Sequence, residues 1–309
     1  MVAYLLLYKI AQLFLVMALG FLLVKARILV SADSVVLSRI SLYLLMPCAI
    51  IESFRVELTE RVLAGLAFAS LAAVAVHILL FGVDFVCARL HATPLERASV
   101  YYSNAGNLII PIVTFCLGSE YVIYSTAYLV VQLALIWTHG VCFFVGKEGR
   151  SVKRILLNVN LIAILVGALI FALQIPIPRF LGEITSSLGS MLGYVGMLIA
   201  GMTAATVDFK AMLRRGRLYA VCVARTVLAP LLVFGLLAGI LAFTSVAEGE
   251  RILLITFLAS MTPTAATVLQ FAQLHGTDPD YAVAINVVGT VLSVGTMPLL
   301  VLLYETALM

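Results

Sequence analysis

The 309 residues are 63% hydrophobic and only 11% charged, with a formal net charge of +4 and a mean hydropathy of +1.17. A water-soluble domain carries about 25% Asp, Glu, Lys and Arg, so this balance excludes an ordinary soluble globular chain and makes lipid the solvent. The small positive excess gives no case for nucleic acid, because basic residues in such a chain first report orientation across the bilayer.

A membrane-crossing helix needs about 20 mainly apolar residues. In chain order, the runs that meet this are 4–24, 35–54, 62–87, 98–117, 121–146, 155–173, 180–205, 218–243, 251–271 and 281–304. The first run contains Lys9 and ends in no small-residue cleavage site, so it reads as a span and not as a signal peptide. All ten are too long and too uniformly apolar for barrel strands of ~10 alternating residues. The fourth, seventh and ninth are the most interrupted, by Gly, Asn, Ser, Thr and Pro. Cys48, Cys87, Cys116, Cys142 and Cys222 lie in or beside the runs with no metal-ligand spacing, and read as small buried hydrophobes.

Lys and Arg divide unevenly between the two sides. The odd-numbered loops hold Lys25, Arg27, Arg39, Arg89, Arg97, Lys147, Arg150, Lys153, Arg154, Lys210, Arg214, Arg215 and Arg217, whereas the even side holds Lys9, Arg55, Arg61, Arg179 and Arg251. Basic loops stay cytoplasmic, which predicts a multi-pass protein of the bacterial inner membrane with both termini outside. The basic segment 147–154 separates a first half, 1–146, from a second, 155–309. Five spans in each half force the second to enter the membrane from the opposite side, so homologous halves are inverted repeats.

Within the halves, YYSNAGNLIIPIVTFCLGSEY of the fourth run parallels ASMTPTAATVLQFAQLHGTDPDY of the ninth. Pairing Gly118 with Gly276 sets Ala105 against Pro263, so each half carries a polar Gly- or Pro-containing break at the same depth. Unwound backbone at membrane depth survives only inside protein or beside a cavity, and matched breaks in two halves point to a transport site. The expected fold is therefore an all-α polytopic membrane protein of about ten transmembrane helices, arranged as two inverted five-helix repeats whose broken fourth and ninth helices cross at mid-membrane.

Asn104 and Asn107 flank Gly106 and precede Pro111 by less than two turns, so amides and freed carbonyls can converge where the helix opens. Thr262, Pro263 and Thr264 form the opposing break, with Thr267 and Gln270 following. Asn286 and Gln132 can face the same cavity. The bland reading of such amides and hydroxyls is interhelical hydrogen bonding; two matched breaks favour a substrate site. Arg225 is the deepest cation, and two readings stay open: a charge for an anionic substrate, or a side chain snorkelling to the surface. His77 and His139 read as hydrogen-bonded packing residues, and Glu52, Asp84, Glu183 and Asp208 as solvated span-end groups. Gly189, Gly193, Gly196 and Ala200 share one face that permits close helix packing. No P-loop, nucleophile elbow, zinc motif or haem motif is present in the sequence, so ATP-driven transport and hydrolysis lack support and the chain is not read as an enzyme.

The chain resembles the auxin efflux carrier family in its short bacterial form, within the superfamily of bile-acid, arsenite and riboflavin-type transporters. The stretches that carry the resemblance are GFLLVKARIL, LLMPCAIIESF, SNAGNLIIP, ARTVLAPLL, MTPTAATVLQFAQLHGTDPDYA and GTVLSVGTMPLL. It implies two inverted repeats whose first two helices form a scaffold, with homodimer contact through it, and whose last three helices move as an elevator. It also implies a site at the crossing of the broken helices and small organic anions, such as carboxylates or dicarboxylates, as substrates. No cofactor is implied; a coupling ion, sodium or proton, stays open. Tyr194-Val195-Gly196 departs from the family, which often has a proline there. The alternatives are a passive channel, distinguished by flux that does not saturate, and a membrane sensor, against which the lack of a signalling domain argues.

Overall fold

In a computed structural model the chain is described over residues 2–146, 157–244 and 246–309. The basic segment 147–154 lies outside these residues. Every regular element among the described residues is helical, as the apolar runs predict. The helices used below are α1 (Val2–Lys25), α2 (Ser31–Ser53), α3 (Glu60–Arg89), α4 (Pro94–Tyr101), α5 (Ala105–Cys116), α6 (Ser119–Val145), α7 (Val159–Leu173), α8 (Arg179–Ala204), α9 (Gly216–Ala242), α10 (Gly249–Met261), α11 (Ala266–His275) and α12 (Pro279–Leu308).

Seven of these, α1, α2, α3, α6, α8, α9 and α12, are long and apolar enough to cross a membrane. Their outward faces carry rows of exposed apolar residues, such as Leu15, Leu19 and Leu22 on α1 and Leu71, Ile78 and Phe85 on α3. Water would not tolerate so large an apolar surface, whereas hydrocarbon does. The chain is a polytopic helical membrane protein.

Local chemistry sets the helix ends. Thr59 caps α3 by accepting from the Val62 N–H at 3.2 Å, and Thr93 and Glu96 form a reciprocal capping box at α4, with Pro94 in its first turn. Of the two glycines paired by the sequence, Gly118 lies two residues past the end of α5 and Gly276 directly follows α11, with φ of 117° and 65°, a conformation that costs other residues strain.

The fourth and ninth runs are each split in two. Tyr102–Asn104 separates α4 from α5, and Thr262–Ala265 separates α10 from α11. At 8 and 12 residues, and at 13 and 10, no half-helix covers the roughly 30 Å hydrocarbon core alone. Around them the long helices form two groups that meet along α1 and α12. In one, α1 lies along the second half of α8, and the second half of α2 packs against α7 and the first half of α8. In the other, α3 packs against α6 and α10, and α9 against α10 and α12. From Ile252 to Met261 every residue of α10 is buried, as befits a helix enclosed on all sides.

The glycines of α8 let it approach α2 of its own group and α5 closely. A Cβ on Gly189 would lie 2.9 Å from the Ala49 Cα, one on Gly193 2.9 Å from the Pro111 ring, and one on Gly196 3.4 Å from the Asn107 Cβ. The small-residue face thus brings α8 against α2 and α5, as its spacing predicts.

Candidate functional site

The two breaks lie side by side. The Asn104 N–H donates to the Pro263 carbonyl at 2.7 Å, and the Ala265 N–H donates to the Tyr102 carbonyl at 2.9 Å. Ser103 and Thr264 thereby form an antiparallel bridge. Backbone groups released by unwinding two helices are satisfied by each other, which removes the cost of leaving them bare in hydrocarbon.

A polar side chain from the following long helix holds each break. Gln132 of α6 accepts from the Ser103 hydroxyl at 2.6 Å and donates to the Ser103 carbonyl at 2.9 Å. Asn286 of α12 donates to the Thr264 carbonyl at 2.9 Å. The threonine hydroxyls at the second break are likewise engaged: Thr262 donates to the Ala259 carbonyl, and Thr264 to the Ser99 carbonyl of α4 at 3.0 Å. Both threonines are buried.

Arg225 does not snorkel. It is 1% exposed, and its guanidinium donates to the carbonyls of Val100 at 3.1 Å, Thr262 at 2.7 and 3.1 Å, and Ser260. Val100 belongs to the last turn of α4, and Ser260 and Thr262 end α10. Each helix C-terminus carries roughly −0.5 charge, so two of them together match one cation. This gives a buried arginine a partner without any carboxylate.

The other ends of the breaks open on a cavity of about 100 Å³. Gly106 and Asn107 from the first turn of α5, and Ala265 and Thr267 at the start of α11, line it together with Asn104 and Gln270. The first N–H groups of a helix have no intrahelical acceptor, so two positive helix ends face the same space. Asn107 donates to Asn104 across the opening of α5 at 3.2 Å. A smaller neighbouring cavity of about 60 Å³ shares Asn107, Thr267 and Gln270 and reaches Ser38 and Ser41 of α2. Asn160, near the start of α7, also lines the larger one. It is 0% exposed, and neither of its amide atoms has a hydrogen-bond partner among the described residues.

The residues singled out from sequence therefore separate. Asn104, Gly106 and Asn107 line the cavity between the helix starts; Thr262, Pro263, Thr264, Asn286 and Arg225 build and hold the breaks; Pro111 lines a different cavity on the far side of α5. The sequence does not single out Asn160. Asn158 and Asn160 stand two apart near the start of the sixth run, and only unpaired burial distinguishes Asn160 from its neighbour.

Asp84 departs from its expected solvated role. It is 7% exposed and receives two hydrogen bonds from Arg97, at 2.6 and 2.8 Å, because α4 folds back against the end of α3. His139 lies 3.8 Å from Asp84 through Nε2, and its Nδ1 is 3.0 Å from the Tyr102 hydroxyl. His77 hydrogen-bonds the Ala73 carbonyl at 2.8 Å and packs against Tyr101 and Tyr128. Glu52 pairs with Arg55 and accepts from Thr185. Glu183 pairs with Arg179, and Asp208 caps the turn at Ala211.

Paired helix breaks and uncharged amides thus surround an internal cavity behind a lipid-facing exterior. Residues 5–154, just under half of the chain, match the family described as membrane transport protein, the one of the auxin efflux carriers, which indicates a membrane transporter. No curated protein matches the chain.

Proposed function

We propose that the chain is a secondary carrier of small organic anions, such as carboxylates or dicarboxylates, whose substrate occupies the cavity between the starts of α5 and α11. The observation that carries this reading is the convergence of two helix N-termini on a space lined by Asn104, Asn107, Asn160, Thr267 and Gln270. Two ends of roughly +0.5 charge each balance one carboxylate without a fixed cation, as broken helices do at carrier sites.

In this reading α4 with α5, and α10 with α11, are the fourth and ninth of ten spans. The halves 1–146 and 155–309 are inverted repeats, joined through the cytoplasmic segment 147–154. The group of α1, α2, α7 and α8 is the scaffold and offers the surface for a homodimer. The remaining helices carry the site as an elevator past it, and the glycine face of α8 is the track along which α5 slides. The excess of basic residues on one side supports an inner-membrane protein with both termini outside.

Proteoliposomes containing the purified chain test this. A radiolabelled carboxylate chosen by thermal-shift screening, with and without sodium and across pH, should enter saturably and faster when unlabelled carboxylate is inside. Linear, non-exchanging flux would assign a passive channel, and the absence of any carboxylate response would reject the anion reading.

A further inference from the structure

A cavity of about 730 Å³ opens on the face formed by the segments after α2 and α5, on the other side of α5 from Asn107. Lys9 of α1 is at its buried wall. It is 7% exposed although it is a lysine inside an apolar helix. Its ammonium donates to the Tyr194 hydroxyl at 3.0 Å and faces the rings of Tyr194 at 4.6 Å and Phe115 at 5.3 Å. It makes no ion pair among the described residues. An ammonium has three donors, and Tyr194 takes one.

The other charges of the cavity do not neutralise it. Glu52 is engaged by Arg55 and Thr185, while Glu57 and Glu120 are exposed. A buried cation is costly unless an anion or a set of acceptors meets it. Here two aromatic rings flank the cation, and beyond Tyr194 its ammonium has no hydrogen-bond acceptor among the described residues while Lys9 lines the cavity. Ile110, Pro111, Phe115 and Val122 form an apolar wall beside it.

We propose that Lys9 is the anchor of a second anion site, an entry site for an organic monocarboxylate with an apolar or aromatic body. The carboxylate meets the Lys9 ammonium and the body lies against Phe115 and Tyr194. One available cation selects one carboxylate, so the site prefers monocarboxylates to dicarboxylates. Pro111 is one helical turn from Asn107 on α5, so this site and the inner cavity flank the same half-helix. The proposal rests on the organic-anion reading above and adds a residue and a ligand shape to it.

Equilibrium binding of radiolabelled phenylacetate to the full chain in lipid nanodiscs tests it, with phenylacetamide as neutral competitor and succinate as dicarboxylate. The wild type should prefer phenylacetate to phenylacetamide and to succinate by about tenfold or more. Lys9→Gln should abolish the preference over phenylacetamide, and Lys9→Arg should keep most of it. The melting temperature of each Lys9 variant in nanodiscs shows whether it is folded, and Lys9→Arg, which keeps the charge, separates loss of the cation from loss of packing. Equal phenylacetate affinity in the wild type and in folded Lys9→Gln would overturn the Lys9 site while leaving the carrier reading intact. Preference for succinate would overturn the monocarboxylate assignment. A wild type that neither binds nor transports any carboxylate in the screen would instead remove the anion reading on which both rest.

Discussion

The two sides of the paired breaks meet opposite partners. On one side α4 and α10 end, and their bare carbonyls converge on the guanidinium of Arg225. On the other side α5 and α11 begin, and their bare N–H groups face a cavity lined by neutral amides. The backbone chemistry is the same at both places, with only the sign of the helix end reversed. A resident cation permanently satisfies the negative ends. The positive ends face no fixed counter-charge among the residues lining the cavity. Under the proposed function, a fixed anion there would occupy the place of the substrate carboxylate.

The most disruptive way to break this contrast is Arg225→Met. It leaves the carbonyls of Val100, Ser260 and Thr262 without their donor, each at about 1–3 kcal/mol, so the variant should unfold well below the wild type in a thermal melt. Arg225→Lys should recover part of that loss, because the charge survives while the planar fork is gone. A folded Arg225→Met protein with normal melting but lost substrate binding would move Arg225 to the substrate side.

Asn107→Leu and Asn160→Leu should do the reverse. Binding should fall by about tenfold or more, as expected when a site's polar contact is removed, while the melting temperature stays close to that of the wild type. For Asn160 it should hold or rise, because an unpaired buried amide is replaced by an apolar group. Unchanged uptake in Asn160→Leu would take that residue out of the site.

The clamps should give a smaller and matched effect. Gln132→Leu and Asn286→Leu each remove the side chain that holds one break, and each should cost about 1 kcal/mol in stability. A large cost in one and none in the other would show that the breaks are not equivalent. Gly193→Ala places a methyl 2.9 Å from the Pro111 ring and should cost about 1–3 kcal/mol. Gly196→Ala, at 3.4 Å from the Asn107 Cβ, should be nearly silent in stability and should slow transport if α5 slides along α8.

The start of α4, away from the breaks, gives the smallest effect. Burial raises the pKa of Glu96, but hydrogen bonds from Arg217, the Thr93 N–H and Tyr281 outweigh it and hold the carboxyl below its usual range. A folded-state pKa below the unfolded one stabilises the protein at neutral pH, and that contribution is lost as pH falls through the folded value. The melting temperature of the wild type should therefore drop on acidification below the ordinary glutamate range more than that of Glu96→Gln.

Much of this organisation is legible along the chain. Apolar runs of span length report the helices because a bilayer demands satisfied backbone over about 20 residues, and that demand is local. Both interruptions fall at the motifs that the sequence marks: the first ends at Asn104, just before Ala105-Gly106 opens α5, and the second contains Thr262-Pro263-Thr264, where proline disfavours regular helix. What only the tertiary structure decided is what each polar group meets. Arg225 reaches a carbonyl 125 positions away in the chain, and Asn104 pairs with Pro263 from the other half. Asn160 and Lys9 are both polar residues near the start of apolar runs, yet each lines a cavity on a different side of α5. A helix pattern specifies which face is polar. Which neighbour fills that face depends on the packing of helices distant in sequence, and no local propensity encodes it.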